Sequence, residues 1–368
     1  MRPFLSPRRR SASHRSPVHC GLGFSLIELM VGLLIGMLAI IVMMQVFSAS
    51  ESYKRTTTGG DDAQNNGAIA LYGLQRDVQQ SGFGVSAFPV IGCSVLLRTG
   101  VTLASMSPVT INSAALPAAA HDANTDTVTV VYGNANGAGE GELIQAQPAT
   151  NLYTVAAAAA GGGSPGAFAV DDKVIAEPVS RPSPCSLAMS PVTGVVAANV
   201  AVSTGVAGMS SGTLYNLGKS PRVMAYAVYK GNLTVCDYTA NDCGAAANVG
   251  NTGVWVPIAS NIVSLRAEYG KDTSAPMDGV VDAFDQTTPG DQCHWARVSA
   301  LRMALVARSA TYDKNDKRPA TAAAPTWASA ATPIDLSGFA DWQHYRYKLF
   351  QTMVPLRNMA WQGAQAGC

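Results

Sequence analysis

One segment near the amino terminus constrains this chain more than any other feature. Sixteen consecutive residues, Leu29 to Met44, carry no polar side chain, and Glu28 is the only charged residue between Phe24 and Phe47. As a helix rising about 1.5 Å per residue, Phe24 to Phe47 spans roughly 36 Å, enough to cross a hydrocarbon core of about 30 Å. The segment therefore predicts a membrane-crossing helix with a carboxylate near its start.

The distribution of charge divides the chain at the same place. The first 23 residues hold five arginines and no acid, a charge of +5, and the remainder contributes 20 − 24 = −4 to the net charge of +1. Arginines ahead of an apolar segment favour a cytoplasmic amino terminus. Only 13% of residues are charged, which excludes a coiled coil. The near-neutral balance gives no reason to expect nucleic acid as a partner, since phosphate binding needs an excess of Lys and Arg.

Three interpretations of the amino terminus compete: a cleaved secretory signal, a plain signal anchor, and a leader that is cut ahead of the apolar stretch. The first expects small residues after the apolar run, and Ser48-Ala49-Ser50 offers a weak match. Neither of the first two uses Glu28. A carboxylate at the bilayer centre costs about 2.5 to 3.5 kcal/mol, less near the interface, and is expected to have a partner.

The stretch Gly23-Phe24-Ser25-Leu26-Ile27-Glu28-Leu29 resembles the type III signal of type IV pilins and type II secretion pseudopilins. That resemblance implies that a prepilin peptidase cleaves between Gly23 and Phe24 and N-methylates Phe24. It also implies that Glu28 neutralises the terminal amine of a neighbouring subunit in a filament. Such a pair between packed apolar helices is poorly screened, so the resemblance supplies the partner that Glu28 requires.

Residues 48–82 are predicted to form an amphipathic continuation of the helix. Gly59-Gly60 predicts a flexible joint, and Asp61 with Gln64 has the spacing of a new amino-terminal cap. Gly82 is the expected end of the helix. Before it, apolar residues recur at helical spacing: Leu71, Leu74 and Val78.

Beyond Gly82 the apolar pattern alternates with period two, which is typical of strands. Lys230-Gly231-Asn232 fits a tight hairpin turn. Runs of small residues at 155–166, 197–212 and 320–325 are predicted to be loops. The predicted strands are Thr125–Tyr132, Asp172–Ile175, Val223–Tyr229, Leu233–Val235, Val254–Ile258, Val263–Tyr269, Val298–Arg308 and His344–Met353.

The predicted fold class is α+β and pilin-like, with a long amino-terminal helix, transmembrane in its first half, packed on a large and mostly antiparallel β domain. The predicted division is a leader at 1–23, a transmembrane or filament-core helix at 24–47, its continuation at 48–82, and a β-rich periplasmic or extracellular domain with loop insertions at 83–368.

Five further stretches resemble the PilW family of minor type IV pilins, and their order and spacing agree with it. They are Leu74–Phe83, Tyr269–Asp272, Trp295–Arg302, Tyr345–Lys348 and Val354–Asn358. Together with the helix motif, the resemblance covers most of the chain after the leader.

The cysteines beyond the leader are even in number, and a domain exported to an oxidising compartment favours disulfides. Six cysteines allow fifteen pairings, of which a local bridge from Cys236 to Cys243 is the first expectation. Cys368 is expected to tie down the carboxyl terminus. A zinc site at Cys236, Cys243, Cys293 and His294 is the less favoured alternative. The disulfide candidates are Cys93, Cys185, Cys236, Cys243, Cys293 and Cys368.

Other chemical motifs are weak. Acidic residues cluster around Gly279 and could hold calcium, although their spacing does not fit an EF-hand and a solvated loop is the favoured alternative. Gly208 to Gly212 matches the G-x-S-x-G pattern around Ser210, but no helix is predicted after it, which favours a chance match. We therefore expect no enzyme activity, no cofactor and no dedicated metal site. The acidic residues are Asp272, Asp278, Asp282, Asp285 and Asp291.

The family resemblance implies a minor pilin that promotes initiation of type IV pilus assembly. The implied partners are the major pilin, other minor pilins, the prepilin peptidase and methyltransferase, the inner-membrane assembly platform and a tip adhesin. The implied location is the inner membrane, with a single span and a periplasmic domain, and then the extracellular pilus that drives twitching motility. The alternatives are a minor pseudopilin of a type II secretion or DNA-uptake filament and a membrane-anchored surface adhesion module.

Overall fold

The computed structural model describes residues 25–135, 141–156, 167–313, 319–327, 333–360, 363–365 and 368, apart from the side chains of residues 52, 55, 56 and 360. The chain divides into two units, residues 1–55 and 56–368. A long amino-terminal helix is followed by strands that pair almost entirely antiparallel. The predicted α+β fold class is confirmed.

Helix α1 extends over 55 residues, Leu26–Gln80, without a break. The expected new helix start at Asp61 is therefore wrong, because Gly59 and Gly60 both lie within α1. Each glycine costs up to about 1 kcal/mol in a helix, and tertiary packing overrides such propensities. Here Gly59 lies against the side chain of Thr311, and Ala63, one turn later, is buried.

Two antiparallel sheets form the part of the domain on which the second half of α1 packs. The five-stranded sheet has the order β13-β12-β11-β4-β3, and the four-stranded sheet has the order β15-β14-β16-β17. Their strands are β3 Val109–Ile111, β4 Val128–Tyr132, β11 Arg222–Tyr229, β12 Asn232–Asp237, β13 Val256–Ser260, β14 Ile262–Lys271, β15 Ala283–Asp285, β16 Val298–Arg308 and β17 Tyr347–Pro355. Two short helices, α2 Gln292–Ala296 and α3 Arg357–Ala360, flank β16 and β17 in sequence.

A third sheet closes on itself. Its order is β2-β1-β8-β7-β10-β5-β6-β9, and β9 pairs again with β8, so the six strands from β8 to β9 form a small barrel. The barrel interior is apolar and includes Ile144, Tyr153 and Leu214. Its strands are β1 Ser94–Arg98, β2 Val101–Leu103, β5 Glu142–Ala149, β6 Leu152–Val155, β7 Lys173–Glu177, β8 Ser186–Val196, β9 Asn199–Val202 and β10 Thr213–Gly218.

The barrel is inserted between two strands that are neighbours in the five-stranded sheet. β4 and β11 pair antiparallel, with Met224 opposite Val130, and β5 to β10 all lie between them in sequence. The insertion therefore leaves the sheet that supports α1 intact. β1 joins the barrel through a parallel pairing with β8, in which Val95 lies opposite Leu187.

The predicted strands all overlap observed ones, and Val298–Arg308 is reproduced to the residue. The hairpin at Lys230 and Gly231 is confirmed, and both residues have positive φ, as a two-residue turn between twisted strands requires. The loop expected at 197–212 is partly wrong, because Asn199–Val202 forms β9. The region 319–327 contains no strand, whereas 157–166 lies outside the described residues.

Candidate functional site

The apolar segment predicted to cross a membrane forms the start of α1. Among the described residues, Leu26–Glu51 is the one helical stretch long and apolar enough to span a bilayer. Its large side chains are exposed in the single chain, from 46% for Ile41 to 77% for Leu26. Soluble monomers do not expose an apolar surface of this length, so the segment requires a lipid or protein environment.

Glu28 lies in the first turn of α1 with an exposed side chain. Its backbone N–H donates to the carbonyl oxygen of Ser25 at 3.0 Å, so the helical turn begins just ahead of it. A carboxylate in the first turn interacts favourably with the helix dipole. Gly23 and Phe24, the predicted cleavage site, lie outside the described residues.

The second half of α1 is held against the two antiparallel sheets by a stripe of small and aliphatic residues. Gly67 permits the closest approach: a Cβ atom placed on it would overlap the ring of Phe350 in β17 and lie 3.0 Å from the Cβ atom of Ala307 in β16. The remaining buried members of the stripe are Ala63, Ala70, Leu71, Leu74 and Val78. The aliphatic half of this stripe was predicted from its spacing, and the glycine contact was not.

A carboxylate on the same face fixes α1 to the five-stranded sheet. Asp77 accepts hydrogen bonds from the hydroxyl groups of Tyr132 in β4, at 3.3 Å, and Tyr226 in β11. Burial, reinforced by the charge of Asp77, raises the pKa of Tyr132 to about 12. Burial and the hydrogen bond to Asp77 also raise the pKa of Tyr226. The phenols therefore remain protonated donors over the physiological range.

Asn358 caps the carboxyl end of α1. Its side-chain amide donates to the carbonyl oxygens of Gln80, at 3.2 Å, and Ser81, at 2.7 Å, and its own carbonyl accepts from the Ser86 hydroxyl at 3.0 Å. These bonds join the first and last of the stretches that resemble the PilW family. Neither Asp77 nor Asn358 was assigned a role from sequence, although a charged residue beside Leu74 on an apolar helix face was a signal for the former.

The middle stretches also meet. Tyr269 and Trp295 are both buried and pack edge to face, with ring centroids 5.9 Å apart. Arg297 then donates to the carbonyl oxygen of Asp272 at 3.1 Å and to that of Cys368 at 2.5 Å. The family-like residues thus form the structural support of α1 and of the carboxyl terminus.

All six predicted disulfide cysteines are paired. The local bridge Cys236–Cys243 is present, Cys368 is tied to Cys293, and Cys93 is bonded to Cys185. The last of these joins the start of β1 to the start of β8, beside their parallel pairing. The zinc alternative is wrong, because the cysteines that it requires are bonded in two separate disulfides.

The acidic residues proposed as weak calcium ligands organise their own loop. Asp272 is buried and accepts backbone N–H bonds from Ser274, Asp278 and Gly279. Burial alone would raise its pKa, but these three bonds outweigh it and lower the pKa of Asp272. Asp282 accepts from Thr273 and Ser274, and Asp285 pairs with the ammonium of Lys271 at 2.6 Å. In the described part of the chain, no three His, Cys, Asp or Glu residues form a group that could hold a metal.

Ser210 lies in a loop of the barrel. The segment after it forms strand β10 from Thr213, where a nucleophile elbow requires a helix. The G-x-S-x-G match around Ser210 therefore does not form the strand-turn-helix geometry of a nucleophile elbow.

Comparison with known proteins agrees with the family resemblance. Residues 233–358 match the family model described as type IV pilus-assembly protein W. The resemblance to the PilW family is confirmed. The match contains four of the five family-like stretches and ends at Asn358, and Leu74–Phe83 lies outside it.

Among solved structures, the chain is similar to a type IV-like pilin from Thermus thermophilus, at 14% sequence identity, over 52% of this chain and 86% of that one, with a TM-score of 0.21. No curated protein matches the sequence. The family match relates the chain to pilus assembly and to contact with other pilins, and the apolar start of α1 suits a membrane anchor.

Proposed function

We propose that this protein is a minor pilin of the type IV pilus, a structural subunit that promotes the initiation of pilus assembly and catalyses no reaction. The observation that carries the proposal is the exposed apolar segment Leu26–Glu51 with Glu28 in its first turn, at the start of a helix that continues to Gln80. The match of residues 233–358 to a pilus-assembly family supports the assignment to the type IV pilus.

In this proposal the chain enters the inner membrane through α1, with its basic amino terminus on the cytoplasmic side and the β domain in the periplasm. The prepilin peptidase cleaves between Gly23 and Phe24 and methylates Phe24. The assembly platform then extracts the subunit into a filament with the major pilin and other minor pilins, where Glu28 pairs with the terminal amine of a neighbour. A tip adhesin is a further proposed partner.

Processing is tested by mass spectrometry of the protein extracted from membranes of cells with active prepilin peptidase. We expect a mature chain that starts at N-methylated Phe24. An intact amino terminus in those cells contradicts the proposal. As a matched control, Gly23→Val should yield the uncleaved chain, because the bulkier side chain blocks the site that the resemblance assigns to the peptidase.

The filament role of Glu28 is tested separately by substitution. Glu28→Ala should leave the chain in the membrane but reduce its amount in sheared pili, because the terminal amine of its neighbour loses a charge partner in a poorly screened environment. Gln45→Ala removes a polar side chain from the same apolar segment and should behave like the wild type. Equal incorporation of Glu28→Ala indicates a plain membrane anchor and overturns the pilin assignment.

A further inference from the structure

A basic cleft of about 520 Å³ lies where the barrel meets β1 and the start of β11. Among its described lining residues there is no Asp or Glu, whereas four are cationic: Arg98, Lys173, Lys219 and Arg222. These are four of the 20 Lys and Arg residues that follow the leader. Leu97 and Met189 contribute apolar walls. We call this site the basic cleft.

The cations of the basic cleft are only partly neutralised by their surroundings. Lys219 pairs with Asp171 at 3.1 Å, but both side chains are more than 60% exposed. Arg222 approaches Asp237 at 3.5 Å. Arg98 donates to a backbone carbonyl, which carries no charge.

The backbone of Lys173 pairs within the sheet, and its side-chain ammonium makes no hydrogen bond or ion pair with the described part of the chain. The four cations and the two bordering aspartates together leave a charge of about +2 at the cleft, and a site with this excess favours an anionic occupant.

The same domain carries a surface of the opposite character, the acidic loop formed by residues 278–282. Among the described residues, Asp278 and Asp282 accept hydrogen bonds only from uncharged donors of the loop, and no described cation pairs with either carboxylate. Val280 lies between them with 58% of its surface exposed. The acidic loop therefore presents two carboxylates around an apolar side chain.

We propose that the acidic loop of one copy of this protein docks into the basic cleft of a second copy. Two carboxylates meet an excess of two positive charges, and Val280 meets walls that include Leu97 and Met189. The described lining residues of the cleft include no aromatic side chain, which a single-stranded nucleic acid would need for base stacking. A peptide loop suits the mixed apolar and cationic lining better.

The two surfaces share no residue, so the contact is heterologous and leaves one free cleft and one free loop at the ends of each pair. Copies joined in this way form an open row. A single loop in a single cleft buries less than a standard interface, so the contact is weak for isolated copies and gains from confinement in a membrane or filament. This inference does not depend on the proposed function.

The test uses the full chain in nanodiscs that hold one copy each, so that the apolar segments of two copies cannot meet. One preparation is fluorescently labelled, and its association with unlabelled discs is followed by anisotropy at low salt. The cleft variant is Lys173→Glu with Lys219→Glu. The loop variant is Asp278→Lys with Val280→Lys, which leaves the loop-organising Asp272 and Asp282 in place.

Wild-type copies should associate, and raising the salt from about 50 mM to 500 mM should weaken them, because the contact is between screened charges. Each variant mixed with itself should associate at least about tenfold more weakly, since like charges then face each other. The cleft variant mixed with the loop variant should regain association, because the unaltered acidic loop of the first can dock into the unaltered basic cleft of the second, and the two reversed surfaces also carry opposite charges. A variant that fails to fold cannot produce this rescue.

Lys230→Glu with Lys348→Glu, which reverses two exposed lysines outside the cleft, should associate like the wild type. The proposal is overturned if wild-type discs do not associate, if the cleft variant associates with itself as tightly as the wild type, or if the mixed variants do not recover. A final arm compares two competitors of equal charge, an oligothymidine and an acidic peptide. If the oligothymidine disrupts the association at a lower concentration than the peptide does, the cleft is assigned to nucleic acid instead.

Discussion

The side-chain amide of Asn358 donates a hydrogen bond to the backbone carbonyl of Ser81 at 2.7 Å and so closes the carboxyl end of α1 with a residue 277 positions later in the chain. The last carbonyl groups of a helix have no partner within it. We expect Asn358→Ala to destabilise the protein by about 1 to 2 kcal/mol, because those acceptors lose their donor. Thermal unfolding of the full chain in detergent, followed by circular dichroism, measures the loss.

Arg357→Ala provides the control for that measurement, since Arg357 is the exposed neighbour of Asn358. Its unfolding temperature should match that of the wild type. Equal unfolding temperatures for Asn358→Ala and Arg357→Ala contradict a capping role for Asn358.

Gly67 and Gly73 predict opposite effects of the same substitution on one helix. Gly67→Ala should destabilise the protein by about 1 to 3 kcal/mol, because the new methyl group overlaps the ring of Phe350. Gly73 has open space around it, so Gly73→Ala should stabilise α1 by about 0.5 to 1 kcal/mol through its higher helix propensity. Unfolding temperatures of the two variants, measured side by side, should lie on either side of the wild type. A rise for both shows that α1 does not pack closely at Gly67.

Local patterns predicted those parts of the fold that depend on near neighbours in sequence. The apolar period of three to four residues located Leu71, Leu74 and Val78, and the period of two located β16 to the residue. The turn at Lys230 and Gly231 needs only its own backbone geometry, so it too was predictable.

Features that depend on distant partners were missed or misjudged. Gly59 suggested a joint because its contact, Thr311, is more than 250 residues away. The barrel escaped prediction because several of its strands, such as β9, are short and rich in small residues, and because closure through β8 and β9 is set by long-range pairing. Of the three disulfides, sequence favoured only the one between residues seven apart, since loop length was the only guide.

The hydrogen bonds to Asp77 predict a loss of stability in alkali. Burial, together with the charge of Asp77, raises the pKa of Tyr132 to about 12, whereas an unfolded tyrosine titrates near about 10. Between these values the folded state holds a proton that the unfolded chain has released. The contribution of Tyr132 to the free energy of unfolding is therefore fully present below about pH 10 and falls as the pH rises towards 12. Unfolding temperatures measured from pH 8 to 12 should stay constant up to about pH 10 and decline above it.

Asp77→Asn separates the two causes of that shift. It removes the charge but not the burial, so the tyrosinate absorbance of Tyr132 and Tyr226 should develop at lower pH than in the wild type. Tyr238 serves as an internal control. Burial and the charge of Asp242 raise the pKa of Tyr238 to about 12, and this tyrosine should titrate as in the wild type. If all the tyrosines of the variant titrate as in the wild type, Asp77 does not contact the two phenols.

The disulfides predict unequal contributions to stability. Cys93–Cys185 closes a loop with a sequence separation of 92, and Cys236–Cys243 closes one of 7. If a bridge stabilises chiefly by restricting the unfolded chain, the longer loop contributes about 2 kcal/mol more. Replacing both cysteines of a pair by alanine should therefore lower the unfolding temperature more for Cys93 and Cys185 than for Cys236 and Cys243. The loss for the pair Cys293 and Cys368, separated by 75, should be close to that for Cys93 and Cys185.

An equal or larger loss for the short loop means that native packing around Cys236 and Cys243, which are both fully buried, outweighs the entropy of the unfolded chain.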